Sequence, residues 1–168
     1  MKYNPDIHHR QSIRLKGYNY RNVGAYFITI CTWDRGNLFG KVADGIMILN
    51  ENGTIVENTW FDLPNHNSNI GLDAFIIMPN HVHAIITVGA GSKPAPTEGI
   101  PLSEIVRQLK TFSAKRINNR RNTQGTPVWQ RNYYEHIIRD EDELNKIREY
   151  IKNNPANWDT DENFMENT

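Results

Sequence analysis

The spacing of apolar positions changes several times along the chain, and each change marks an element. Residues 25–33 (AYFITICTW) are β-branched and aromatic and predict a central strand, followed by a turn over residues 34–37. In residues 38–53 the short runs LFGKV and GIMIL flank Ala43-Asp44-Gly45 and predict a small inserted hairpin. From Thr54 to Leu63 the residues Ile55, Val56, Thr59, Trp60 and Leu63 recur at helical spacing, and Pro64 is expected to stop the helix. LDAFIIMP (72–79) and HVHAIITV (81–88) are two apolar strands joined by a tight Pro-Asn connection, so they should pair antiparallel.

Residues 89–101 are rich in Gly and Pro without an apolar period and predict a flexible surface loop. From Leu102 a stripe of Ile105, Val106, Leu109, Phe112 and Ile117 predicts an amphipathic helix, with most of its cations off the stripe. A strand follows over Tyr134–Arg139. Asp140 then stands where an N-cap belongs, with Glu141, Asp142 and Glu143 suited to the first turn of a helix running to about Asn153, which Pro155 ends. The order β-α-β-β-α-β plus a helix predicts an α+β fold. Its antiparallel sheet is ferredoxin-like, or RRM-like, with helices on one face and an additional C-terminal helix. The 168 residues fit one domain, with residues 1–22 as an N-terminal arm and 156–168 as a flexible acidic tail.

Composition narrows the partners. Lys and Arg number 19, balanced by 19 Asp and Glu, so net charge alone gives no reason to expect a polyanion. The distribution does: residues 1–41 hold seven cations against two acids, residues 102–121 hold six against Glu104, and acids dominate after residue 140. Solvated helix faces would produce the same asymmetry. The single cysteine, Cys31, excludes an intramolecular disulfide and a cysteine-rich zinc site. With no membrane-length apolar run and no signal-peptide core in MKYNPDIHHR, a cytoplasmic, nucleoid-associated protein without membrane contact is expected.

Chemistry concentrates in two places. Side chains alternate across a strand, so His81 and His83 share a face and can bind one divalent ion, leaving positions for a third protein group, water and a substrate oxygen. Each histidine alone could equally be a hydrogen-bonded structural residue. In the last helix Tyr150 and Asn154 lie only ~40° apart, so their side chains can reach one site. A tyrosine at such a border is often a packing residue, but a metal beside it would help its phenol attack phosphorus.

MPNHVHAII (78–86) resembles the HUH motif, and VWQRNYYEHIIRDEDELNKIREYIKNNP (128–155) resembles the C-terminal signature of REP-associated tyrosine transposases. The resemblance spans about Tyr18 to Ala156. It implies Tyr150 as nucleophile, forming a 5′-phosphotyrosine, and Asn154 as a third metal ligand beside His81 and His83. It also implies nicking and strand transfer on hairpin-forming single-stranded DNA, such as REP-like elements or insertion-sequence ends, by a monomer or a homodimer. Oxygen-rich substrate positions favour Mg²⁺ or Mn²⁺. DNA contacts are expected from Arg107, Lys110, Lys115, Arg116, Arg120 and Arg121, from Arg14 and Lys16 in the arm, and from Trp129 by stacking. Glu135 could orient a histidine ligand or simply be a surface residue. The rivals are a catalytically silent RRM-like nucleic-acid-binding module, against which the RNP1 pattern is missing, and a hydrolase using activated water.

Overall fold

The computed structural model describes residues 24–89 and 100–164. Arg14, Lys16 and the rest of the expected N-terminal arm, and nearly all of the 89–101 loop, lie outside the described residues. In chain order the elements are β1 (Gly24–Cys31), β2 (Gly40–Ala43), β3 (Ile46–Leu49), α1 (Glu51–His66), β4 (Ile70–Met78), β5 (His81–Val88), α2 (Leu102–Arg121), β6 (Tyr134–Ile138) and α3 (Glu141–Asn153). The main sheet has the antiparallel order β4-β5-β1-β6, the ferredoxin-like arrangement, and β2-β3 form a separate ribbon. Asp44 (φ 52°) and Gly45 (φ 72°) supply the two left-handed positions that a two-residue hairpin turn needs.

Helix α1 starts earlier and ends later than expected. Asn50 caps it, its side chain accepting from the Gly53 N–H at 3.0 Å. Gly53 has no side chain because one there would run into the Phe39 carbonyl and Leu49. Pro64 lies inside the last turn, where the helix forgoes the bond an N–H would make to the Trp60 carbonyl, and Asn67 ends the helix by donating to the Leu63 carbonyl at 3.0 Å.

Strand pairing sorts the side chains into two faces. Tyr26, Ile28, Ile30, Val82, Ala84 and Ile86 point to one face, where they pack with Val56, Trp60 and Leu63 of α1 and Leu102, Ile105 and Leu109 of α2. The other face carries Phe27, Thr29 and Cys31, which pair with Ile85, His83 and His81. Helix α3 lies over this second face, against β4 and β5. Helices therefore cover both faces: α1 and α2 close the core, and α3 covers the histidines.

Trp129 belongs to the first layer and not to a DNA surface. It is 7% exposed, its indole N–H donates to Ser113 Oγ at 2.9 Å, and its ring packs on Phe39 at 4.9 Å. The reason is a bridge from Thr32 to Trp129 that turns the indole under the sheet. Trp129→Ala should cost about 3–5 kcal/mol in a urea titration, the range for emptying a buried aromatic site.

Within the stretch 156–168 expected as a flexible tail, the chain after α3 forms a 3-10 helix over Pro155–Thr160. One aromatic anchors it among the acids. Trp158 is buried, 5.9 Å from the His81 ring and 5.3 Å from that of Phe164.

Candidate active site

Two adjacent strands and one helix bring the candidate residues together. His81 and His83 stand two apart on β5, opposite Cys31 and Thr29, so both imidazoles project from the α3 face, and their Nε2 atoms stand 3.0 Å apart. Each ring is held from behind. Asn80 donates through Nδ2 to the carbonyls of Arg35 (3.0 Å) and Asn163 (2.7 Å), so its Oδ1 is left to accept from His81 Nδ1–H at 2.8 Å. Thr29 Oγ1 lies 2.8 Å from His83 Nδ1. With the protons on Nδ1, both Nε2 lone pairs face the same point, as metal-binding histidines require.

Burial pushes the imidazolium of His81 down to about 4, partly offset by Asp161. Burial and then the neighbouring His81 push His83 down to about 3. Both rings are neutral at pH 7, which is the ligand form. In the unfolded chain they protonate near ~6.5, so between about pH 6.5 and 4 the unfolded state binds more protons. Folding stability is complete above that window and falls as pH drops through it. Urea midpoints should therefore decline from pH 6.5 to 4.5, and more shallowly in His83→Gln.

Asp161 completes the cluster: with the histidines it offers three ligand atoms within 4.8 Å of one another. Burial opposes its ionisation, but hydrogen bonds from the Asn163 backbone (2.7 Å) and Asn154 Nδ2 (3.0 Å) outweigh it and hold the carboxyl below its ordinary range. Asn154 is 2% exposed, and its Oδ1 is buried without a hydrogen bond of good geometry. Two neutral imidazoles, a carboxylate and an orphaned amide oxygen form a mixed nitrogen and oxygen donor set suited to a divalent cation.

Tyr150 reaches the cluster from α3, with Oη 3.4 Å from His83 Nε2 and the rings 5.2 Å apart. Its phenol sits above the ordinary range because it is half-buried and because Asp161 and Glu162 are negative. The helix is fixed by Arg148, which binds Asp73 through two bonds of 2.9 and 2.6 Å. Asp73 can meet it because Leu72 pairs with Ile86 on the core face, so the next side chain falls on the α3 face. Glu143 secures the other end, accepting from the Arg139 N–H at 2.8 Å and lying 2.6 Å from His136 Nε2. Arg148→Met should leave melting nearly unchanged but accelerate hydrogen exchange in α3 and slow any Tyr150-dependent step severalfold.

The expected basic surface is elsewhere. Arg107 pairs with Glu104, Arg116 donates to Thr59 Oγ1 at 2.9 Å and to Asp62, and Arg120 pairs with Glu51. Arg121 donates to Thr123, while Lys115 is exposed on α2. These side chains belong to the layer behind the sheet, and several link α2 to α1. Lys110 is an exception, because its ammonium donates to the carbonyls of Gln130, Arg131 and Asn132, at 2.8, 3.1 and 3.3 Å. Burial lowers its pKa to about 8. Glu135 pairs with Ile28 on the core face and is buried, so it cannot orient His83.

Asp161, Asn80 and Thr29 were not among the residues expected from sequence. The one signal for Asp161 is Trp158, a large aromatic in an acidic stretch. Among the described residues no helix is long and apolar enough to cross a membrane.

The family model described as "Transposase IS200 like" matches residues 60–154. An uncharacterized protein of Haemophilus influenzae is 42% identical, the match covering 98% of each chain. Another from that organism, provisionally assigned as a REP-associated tyrosine transposase, is 28% identical over 79% of this chain and 70% of its own. Among solved structures, a REP-associated tyrosine transposase bound to a REP hairpin superposes with a TM-score of 0.56 at 20% identity, covering 79% of this chain and 67% of that one. A Deinococcus radiodurans protein provisionally assigned as a transposase gives 0.50 at 19% identity, over 83% and 95%. These two structures share the fold, and the family match takes in both histidines, Tyr150 and Asn154. The chain belongs to the IS200-like transposases, within the single-tyrosine HUH superfamily.

Proposed function

We propose that this protein nicks and rejoins single-stranded DNA beside a hairpin, with Tyr150 as nucleophile and His81, His83, Asp161 and Asn154 as the groups that hold a divalent ion. The observation that carries the reading is the placement of the Tyr150 hydroxyl 3.4 Å from His83 Nε2, at the mouth of a buried, neutral histidine pair. The hairpin enters by analogy with the solved relative that was bound to one. Mg²⁺ or Mn²⁺ fits the carboxylate and amide oxygens, and the imidazoles favour Mn²⁺ of the two.

A bound divalent ion would neutralise the scissile phosphate and orient it for in-line attack. The chain supplies the rest. Tyr150 loses its proton to solvent as Oη bonds phosphorus. The bond from phosphorus to the 3′-oxygen breaks, and that oxygen takes a proton from water. The products are a 5′-phosphotyrosine and a free 3′-hydroxyl, so the reverse attack rejoins strands without further energy. Asn80 and Thr29 keep the imidazole lone pairs aimed at the site, and Arg148 holds α3 so that Oη stays within reach. Every one of these groups comes from one chain, which supports a monomer as the working unit.

The test is a labelled hairpin oligonucleotide incubated with Mg²⁺, Mn²⁺ or chelator. Nicked DNA with a protein-blocked 5′ end in metal only, and joining when a 3′-hydroxyl strand is added, is expected. A free 5′-phosphate with no adduct would indicate activated water instead. The Arg116→Ala/Arg120→Ala pair is expected to leave the salt dependence of hairpin binding unchanged, because both guanidinium groups serve the α1–α2 contact.

A further inference from the structure

We propose that the cleft beside Tyr150 is a base pocket: it takes the one unpaired nucleotide adjoining the scissile phosphate and discriminates its base through Gln130 and Asn132. This rests on the nicking reading above, and it adds a source of sequence preference next to the cut. The cleft has a volume of about 450 Å³ and opens between His83, Tyr150, Tyr134 and the 130–132 segment. That is within the range of a small-ligand site and leaves room for one base and its sugar.

The walls suit a nucleobase in three respects. One side is aromatic: Phe27 lies 6.1 Å from the rings of both Tyr134 and Tyr150, and Tyr134 is 42% exposed on the edge strand β6. Aromatic side chains beside an unpaired base give stacking without regard to its identity. The second side carries the carboxamides of Gln130 and Asn132, each with a donor pair and an acceptor that can meet a base edge. Their backbone is held in place, since the Gln130 N–H donates to the Cys31 carbonyl at 2.9 Å and Lys110 gathers three successive carbonyls. A flexible loop could not discriminate, whereas a fixed one can.

The third side is Arg35, which lines the cleft with a cation suited to the nucleotide's phosphate. The backbone is strained to put it there. Asp34 (φ 57°) and Arg35 (φ 54°) are successive left-handed residues, neither a glycine. Asn80 Nδ2 on the Arg35 carbonyl and Thr32 Oγ1 on the Gly36 carbonyl (2.9 Å) hold the turn. Asn80 thus ties the turn that bears Arg35 to the ring of His81, so pocket and histidine pair share one support.

Hairpin oligonucleotides with randomised single-stranded flanks, nicked by the wild-type protein and sequenced at the junction, give the base preference at every flanking position. The preference at one position next to the cut is expected to fall ~10-fold in Gln130→Ala or Asn132→Ala, while distant positions keep theirs. Tyr134→Ala should weaken binding ~5- to 100-fold for an intact flank and not at all when that nucleotide is abasic. An unchanged preference in both amide variants, or equal Tyr134→Ala losses on intact and abasic DNA, would overturn the pocket. A second measurement does not need cleavage. With 2-aminopurine placed at each flanking position and bound by Tyr150→Phe protein, quenching at one position that disappears on adding Tyr134→Ala is expected. Quenching without nicking by the wild type would refute the nuclease reading and leave the pocket standing. Nicking with uniform preference and no quenching would do the reverse.

Discussion

Tyr150→Phe is expected to reduce hairpin nicking by at least about 10⁴-fold, to the level of the buffer, while hairpin affinity stays within about twofold. The substitution removes one oxygen and keeps the ring, so the contacts of 5.2 Å with His83 and 6.1 Å with Phe27 survive. A loss confined to the chemical step follows from the nucleophile role alone. If the hydroxyl only packed against His83, removing it would cost at most the weak 3.4 Å contact, and nicking would persist. Side-by-side single-turnover nicking and equilibrium binding separate these outcomes.

His83→Ala comes next in size, with metal affinity expected to fall at least about 100-fold and nicking with it. Ligand loss is only part of the reason. His83 is 2% exposed, and its removal strips Thr29 Oγ1 of its partner and leaves a hole beside His81. Asp161→Asn is the gentler companion: it preserves shape and removes the charge, so affinity should fall while the fold survives. Manganese binding followed by electron paramagnetic resonance reads both without reference to activity. Undiminished binding in both variants would show that the cluster is structural.

How much could be read from sequence depends on how far apart the interacting residues lie in the chain. The histidine pair was legible because period two places His81 and His83 together, and Tyr150 with Asn154 because period 3.6 does the same in a helix. The Asp44-Gly45 turn and the Asp140 cap were local signals of the same kind, and the cap is seen as a bond of 2.8 Å from the Glu143 N–H. Asp161 was not legible, since its place depends on Pro155 turning the chain and Trp158 burying beside a histidine 77 positions earlier, at 158 against 81. Nor were Asn80 and Thr29, whose bonds follow from strand register and from the return of residue 163. The partners of Arg116 and Arg120 were hidden for a similar reason. Glu51, Asp62 and Thr59 lie on α1, and nothing in a helical stripe says which helix will face it.

Strand β4 shows how sequence detail reaches function. Alternation after Leu72 puts the Asp73 carboxylate on the α3 face, where it holds Arg148, and the shift before Phe75 returns that ring to the core face. The bond from Arg148 to Asp73 holds α3 to the sheet and with it Tyr150. Positioning on the scale of one hydrogen bond is what an in-line attack on phosphorus demands.

The central claim is a covalent bond between Tyr150 and DNA. Its most direct measurement is mass spectrometry of the peptide carrying residue 150 after the protein has been incubated with hairpin DNA and Mn²⁺ and digested with nuclease. The account predicts a nucleotide 5′-phosphate attached to Tyr150, absent in chelator and absent from Tyr150→Phe. Nicked DNA accompanied by an unmodified Tyr150 peptide, or by a nucleotide on another residue, would contradict it.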